Sequence, residues 1–123
     1  MRRSEASNGK DAELKKLVEA TASTVVPHLL SDKRLNGGKG VMPVVVHGDL
    51  WSGNASKAII GGKGDVQDVA YDPSVCYAHN EYELGMMRMF GGFGGSFLKE
   101  YHELCPKTEP VAEYEDRVAL YEL

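Results

Sequence analysis

The sequence predicts an α+β chain, mainly helical, with one small β-hairpin at its centre. Three observations lead there. Apolar residues recur at intervals of three and four over residues 11–30, and again in several stretches after residue 79, the spacing of helices that bury one face. Between them, residues 41–46, 55–60 and 66–71 are short runs of strand-like residues divided by glycine-rich turns. A content of 42% hydrophobic and 26% charged residues is that of an ordinary globular domain, so a packed core is expected. The chain divides into a helix with a glycine-rich connector (1–40), a loop with its hairpin (41–78) and a helical part (79–123).

Residues 1–10 are polar and expected to fray. From Asp11 to Leu30, the residues Leu14, Val18, Ala22, Val25 and Leu29 make an amphipathic stripe. The helix is expected to pack under the loop that follows, with Pro27 kinking its last turn. Ser31 to Gly40, with Asn36-Gly37-Gly38-Lys39-Gly40, reads as a flexible connector. A β-branched run, Val41 to Val46 interrupted by Met42 and Pro43, delivers the segment His47 to Asn54, and Ala58-Ile59-Ile60 carries it away. Gly61-Gly62-Lys63-Gly64-Asp65 then turns the chain, so 55–60 and 66–71 form an antiparallel hairpin. Pro73 ends that strand and residues 74–78 form a short connection.

Asn80 followed three residues later by Glu83 reads as a capping box opening a helix. Leu84, Met87 and Gly91, or Leu84, Met86, Met89, Phe90 and Phe93, form its apolar face, and the methionine and phenylalanine stripe is expected in the core. Gly91-Gly92 and Gly94-Gly95 weaken or break it, because a glycine inside a helix costs up to about 1 kcal/mol relative to alanine. Phe97, Tyr101 and Leu104 mark a second helix that stops before Pro106, and a last one starts near Val111 and is still amphipathic at Leu120 to Leu123.

Several function classes are disfavoured. The apolar runs are too short to span a bilayer, and Met1-Arg2-Arg3-Ser4 leads into polar residues rather than a signal-peptide core. A cytoplasmic protein is expected, with no membrane partner. Cys76 and Cys105 have no companions at metal-ligand spacing and read as reduced thiols. A net charge of −4 disfavours nucleic acid, which needs a basic face. Neither glycine cluster has the spacing of a phosphate-binding loop with a helix behind it, so both read as solvated turns.

The chemistry is concentrated in His47-Gly48-Asp49-Leu50-Trp51-Ser52-Gly53-Asn54. His-x-Asp followed by four residues and an Asn is the spacing of a protein-kinase-type catalytic loop. There the Asp receives the acceptor hydroxyl's proton and the Asn holds magnesium. With Lys63 taken as the hairpin centre, Asn54 lies nine residues before it and Asp72 nine after, so both should emerge at the open end beside Asp49. A hard cation such as magnesium takes oxygen ligands, often one or two from protein with phosphate supplying others.

The residues HGDLWSGN, then Tyr71-Asp72-Pro73, His79 to Leu84 and Met89-Phe90-Gly91-Gly92-Phe93 closely resemble the fructosamine-3-kinase (ketosamine-3-kinase, protein-ribulosamine 3-kinase) family. The resemblance runs from about Val44 to the C-terminus. Trp51-Ser52-Gly53 and the Met89 to Phe93 run separate it from the aminoglycoside-phosphotransferase and choline-kinase relatives. It implies a protein-kinase-like, aminoglycoside-phosphotransferase-like C-terminal lobe and an ATP- and Mg2+-dependent transfer of phosphate to the sugar 3-hydroxyl of ketosamines on proteins or small amines. Such a transfer would serve deglycation.

The resemblance makes Asp49 the catalytic base, Asn54 and Asp72 the metal ligands, and Trp51 a substrate-binding residue. His47 and Glu83 become supports of the loop. Bland roles compete: loop capping for Asp49, turn formation for Asn54 and Asp72, core packing for Trp51, helix capping for Glu83. His79 and Glu81 match family positions without a chemistry of their own. Residues before Val41 read as one helix and a loop, so the nucleotide-gripping lobe is expected to be absent and the chain is expected to be a kinase fragment, inactive alone. The competing readings are a catalytically silent remnant and a kinase of the aminoglycoside or choline type.

Overall fold

The computed structural model describes residue 9 and residues 11–123. The expectation of a frayed start at residues 1–10 therefore lies outside the described residues, Gly9 apart. The chain is a mixture of helices, as the patterning predicts, and two small antiparallel sheets where the sequence predicts a single hairpin. Helix α1 spans Ala12–Ala20 and α2 spans Val26–Leu30, joined through a π-helical turn at Thr21–Val25. Asp11 caps α1, its carboxylate accepting from the backbone N–H groups of Glu13 and Leu14 at 3.0 and 2.9 Å. The widened turn, in which Val26 N–H donates to Thr21 O, lies just ahead of Pro27. A proline has no N–H to give and its ring crowds the carbonyl four residues back, so a π turn there accommodates it.

This helical segment does not sit under the loop as expected. α1 buries no residue. The buried Leu29 of α2 instead packs toward the last helix, α5 (Tyr114–Tyr121). An ion pair from Arg34 to Glu113 at 2.8 Å, with His28 Nε2 3.2 Å from the same carboxylate oxygen, lies beside that contact. Nor is the segment 31–40 a loose connector. Leu35 is buried, Asn36 sits in the left-handed region at φ 49°, and its side chain donates to Gly40 O at 2.8 Å. The backbone N–H of Asn36 donates to Glu109 O, while its Oδ1 accepts from Glu109 N, which ties the turn to the segment 108–110.

Strand β1 (Val44–Val46) is shorter than the apolar run that predicts it and pairs with β4 (Cys76–Ala78), in the order Val44 with Ala78 and Val46 with Cys76. The predicted connection at 74–78 is thus partly a strand. The hairpin forms from β2 (Ala55–Ala58) and β3 (Gln67–Ala70), with Ala55 facing Ala70. Its register differs by one residue from the Lys63-centred pairing. Asn54 faces Tyr71, whose N–H donates to Asn54 O at 3.0 Å, and Asp72 lies one step further on. The physical reason is the turn: a 3-10 segment at Ile60–Gly62 with glycines at positive φ centres the pairing between residues 62 and 63.

Helix α3 spans Asn80–Phe90 and α4 spans Gly95–Leu104, separated by the expected glycine break, with Gly91 closing α3 at φ 69°. The capping box does not form. His79 is the N-cap position and makes no side-chain cap, whereas Asn80 is already helical and donates to the Tyr101 hydroxyl at 3.0 Å. Leu84 and Met87 of α3 meet Tyr114 and Val118 of α5 in the core, with Leu50, Phe93, Leu98 and Tyr101 packed around them. Met89 and Phe90 fall outside it, because the buried face of α3 runs through residues 81, 83, 84, 85 and 87. Cys76 and Cys105 are both free and exposed. Among the described residues no helix is long and apolar enough to cross a membrane.

Candidate active site

The loop between β1 and β2 is built from its backbone outward. Gly48 lies at φ 80°, and a Cβ there would stand 2.1 Å from Ser74 O, so only glycine lets the chain turn beneath β4. The next residues are held by a carboxylate on α3. Glu83 accepts from Gly48 N–H through Oε2 at 3.0 Å and from Leu50 N–H through Oε1 at 3.1 Å. The two amides flank Asp49, and Glu83 itself is buried. A carboxylate shared by two part-buried N–H groups is a directional tie.

Asp49 and Asn54 are brought together. The Asn54 side-chain amide donates to Asp49 O at 2.9 Å and to Asp49 Oδ2 at 3.0 Å. With both N–H groups committed to Asp49, Asn54 Oδ1 is left with its lone pairs, as is Asp49 Oδ1; no described residue donates to either. Of the two, the Asn54 amide oxygen is the kind of hard, uncharged donor that a cation of the magnesium type takes, while Asp49 Oδ1 is free to accept a proton. Asp72 is not drawn into that hydrogen-bonded pair. It is exposed, at φ 57°, and follows directly on Tyr71, the cross-strand partner of Asn54. Among the described residues no three His, Cys, Asp or Glu side chains cluster closely enough to hold a metal by themselves.

His47 ties the two ends of the site. Its Nε2 donates to Tyr71 O at 3.0 Å, which leaves Nδ1 as the acceptor facing Asp49 N–H at 3.4 Å. Tyr71 reaches back as well, its hydroxyl donating to Gly53 O at 2.8 Å. Trp51 lies over Gly53, where a Cβ would stand 2.3 Å from the indole, and its ring is 5.3 Å from Phe90. Trp51 therefore has packing partners of its own, with part of the side chain remaining open. Past the break, Gly92 lies against Ser52 of the loop.

Sequence reasoning missed three groups. The sequence marks Tyr71 only as a flank of Asp72 and places Phe90 in the core. Arg117, fully buried, donates to Glu81 Oε2 through Nε at 2.6 Å and to Glu81 Oε1 through Nη2 at 3.1 Å. No spacing rule marks a lone arginine in an acidic helix as buried. His79 lies beside this pair, within 2.8 Å of the Thr108 hydroxyl and 3.0 Å of the Tyr121 hydroxyl. Burial lowers its pKa below 6.5, Glu81 opposing and Arg117 adding to the effect. Burial, then the Glu81 charge, pushes the Tyr121 hydroxyl up to about 12.

Fold and site together define a class first: a mixed helical and antiparallel-sheet chain that presents an Asp–Asn pair on a turn braced by a helix carboxylate. The chain belongs to the fructosamine kinase family, which it matches over residues 1–123. It is 41% identical over 83 residues to the ketosamine-3-kinase of Mus musculus, covering 68% of this chain and 24% of that protein. To a probable ketoamine kinase of Synechocystis it is 39% identical over 101 residues, 82% of this chain and 30% of that one. To the chloroplastic protein-ribulosamine 3-kinase of Oryza sativa subsp. indica it is 40% identical over 84 residues, 68% of this chain and 23% of that one. The chain thus matches less than a third of the length of these relatives.

Proposed function

We propose that the full-length protein to which these residues belong transfers the γ-phosphoryl group of ATP to the sugar 3-hydroxyl of a ketosamine, a fructosamine or ribulosamine on a protein or a small amine. The observation that carries this reading is the Asp49–Asn54 pair on its Glu83-braced turn, in a chain of the fructosamine kinase family. The relatives' names, ketosamine-3-kinase and protein-ribulosamine 3-kinase, supply the acceptor class and the position. A kinase-like C-terminal lobe is the fold that goes with it.

In this mechanism Asp49 Oδ1, the oxygen not engaged by Asn54, accepts the proton of the acceptor hydroxyl and orients it for attack. Glu83 and His47 keep the turn in place, so that positioning rather than an unusual acidity does the work. Asn54 Oδ1 and the Asp72 carboxylate would hold Mg2+, which neutralises charge on the phosphate oxygens when bound. The open part of Trp51 would lie against the apolar face of the sugar. Phosphorylation at that position weakens the sugar–amine link, which suits deglycation. Two free thiols fit a cytoplasmic setting, although the rice relative is named chloroplastic.

The nucleotide-gripping residues lie outside this stretch in the proposed arrangement, consistent with a chain that matches 24% of the mouse relative. The 123 residues alone should therefore be catalytically silent, since groups on one side of the phosphates cannot offset the several kcal/mol that association costs. The test is an assay of the full-length protein with a fructosamine and ATP, with product mapped by phosphorus NMR. Phosphate on the 3-hydroxyl supports the reading; transfer only to an aminoglycoside or choline overturns it.

A further inference from the structure

Helix α3 carries two buried carboxylates, and only one of them faces the loop. Glu83 binds Gly48 and Leu50 N–H; Glu81, two residues earlier, points to the other side, since two helical steps rotate the chain by about 200°. There Glu81 meets Arg117, and neither residue has any exposed surface. The guanidinium makes four bonds: two to Glu81, one to Thr108 O at 2.6 Å and one to Pro110 O at 3.0 Å. Thr108 N–H returns a bond to Glu81 Oε1 at 2.9 Å.

A buried ion pair is not in itself a stabilising feature. Desolvation cancels most of its attraction, and apolar residues of similar volume often serve the fold as well. What such a pair does supply is direction. Here it clamps one face of α3 to the segment 108–110, and Glu109 of that segment also holds Asn36, accepting from its backbone N–H and donating to its side-chain Oδ1. The helix that braces the Asp49 loop through Glu83 is thus held on its opposite face by the same segment that anchors the turn at Asn36.

The geometry points to Glu81 and Arg117 as positioning residues for the Asp49 turn. They fix the rotation of α3 about its axis, and so decide whether the Glu83 carboxylate reaches the two amides beside Asp49. The catalytic consequence rests on the kinase reading above; the positioning itself does not.

The test is hydrogen exchange by NMR on this chain. The double variant Glu81→Leu/Arg117→Met replaces the pair by apolar residues of similar volume, and Arg117→Lys keeps the charge but loses the fork. The Gly48 and Leu50 amides should exchange at least about tenfold faster in either variant while the amides of the β2–β3 ladder keep their parent rates. In the full-length enzyme the same variants should lower kcat and leave the acceptor KM unchanged. Unchanged protection at Gly48 and Leu50, or a rise matched by the hairpin amides, would overturn the proposal. So would failure of both variants to fold, which would assign the pair to bulk stability. Loss of protection without any kinase activity in the parent enzyme would sink the kinase reading alone.

Discussion

Glu83 is the residue on which the site's geometry turns. Its two oxygens serve two different backbone amides, so an amide side chain can satisfy only one of them. Glu83→Gln should destabilise the chain by about 1 kcal/mol in urea denaturation, the cost of one part-buried N–H left unpaired. Its part in the loop was accessible to sequence reasoning, because an acidic residue at the start of the next helix has a known use in kinase-type loops. The role of Glu81, two positions away, was not, since burial of its partner Arg117 depends on where α5 lands. His79 offers a second residue-level check. Its folded pKa lies below that of the unfolded chain, so the unfolded state binds the proton first as pH falls. The stability that neutral His79 contributes is complete above pH 6.5 and is lost as the pH drops below that value. Thermal melts should be flat for this group from pH 7 to 8 and decline toward pH 5.5, with a shallower decline in His79→Gln; equal slopes would contradict the assignment.

Among the elements, the helices were the most legible and the strand pairing the least. The stripes over 80–90 and 97–104 and the glycine break between them needed only local spacing, and α3 and α4 follow them closely. The hairpin was visible in its glycine-rich turn, but its register depends on how many residues the turn consumes. A single residue therefore separates the expected partner of Asn54, Asp72, from the observed one, Tyr71. Strand β4 is three residues long and pairs with a strand thirty positions away in sequence, so no local period announces it. The turn beneath it supplies a test. Gly48 and Gly61 both sit at positive φ, yet only Gly48 faces backbone at the position of a Cβ. Gly48→Ala should cost at least about 1 kcal/mol more than Gly61→Ala in urea denaturation, because overpacking adds to the left-handed strain that both share. Equal costs would mean that Ser74 does not press on the loop.

At the scale of the whole molecule, the chain carries a site but leaves much apolar surface uncovered. Met42, Tyr77 and Leu104 are 87%, 77% and 84% exposed. Exposed apolar surface of this kind favours association, so light scattering on the isolated chain should give a mass that rises with concentration. A constant monomer mass would contradict that expectation. The central claim, that the Asp49 turn is the phosphoryl-transfer site of a ketosamine kinase, is tested most directly by comparing the full-length protein with its Asp49→Asn variant on a fructosamine and ATP. The account predicts that kcat falls by about 10²–10⁴-fold, the scale of a lost general base, while the dissociation constant of the fructosamine stays within about twofold, a shift worth less than 1 kcal/mol. A variant that retains its turnover, or one that loses binding and rate in equal measure, would contradict it.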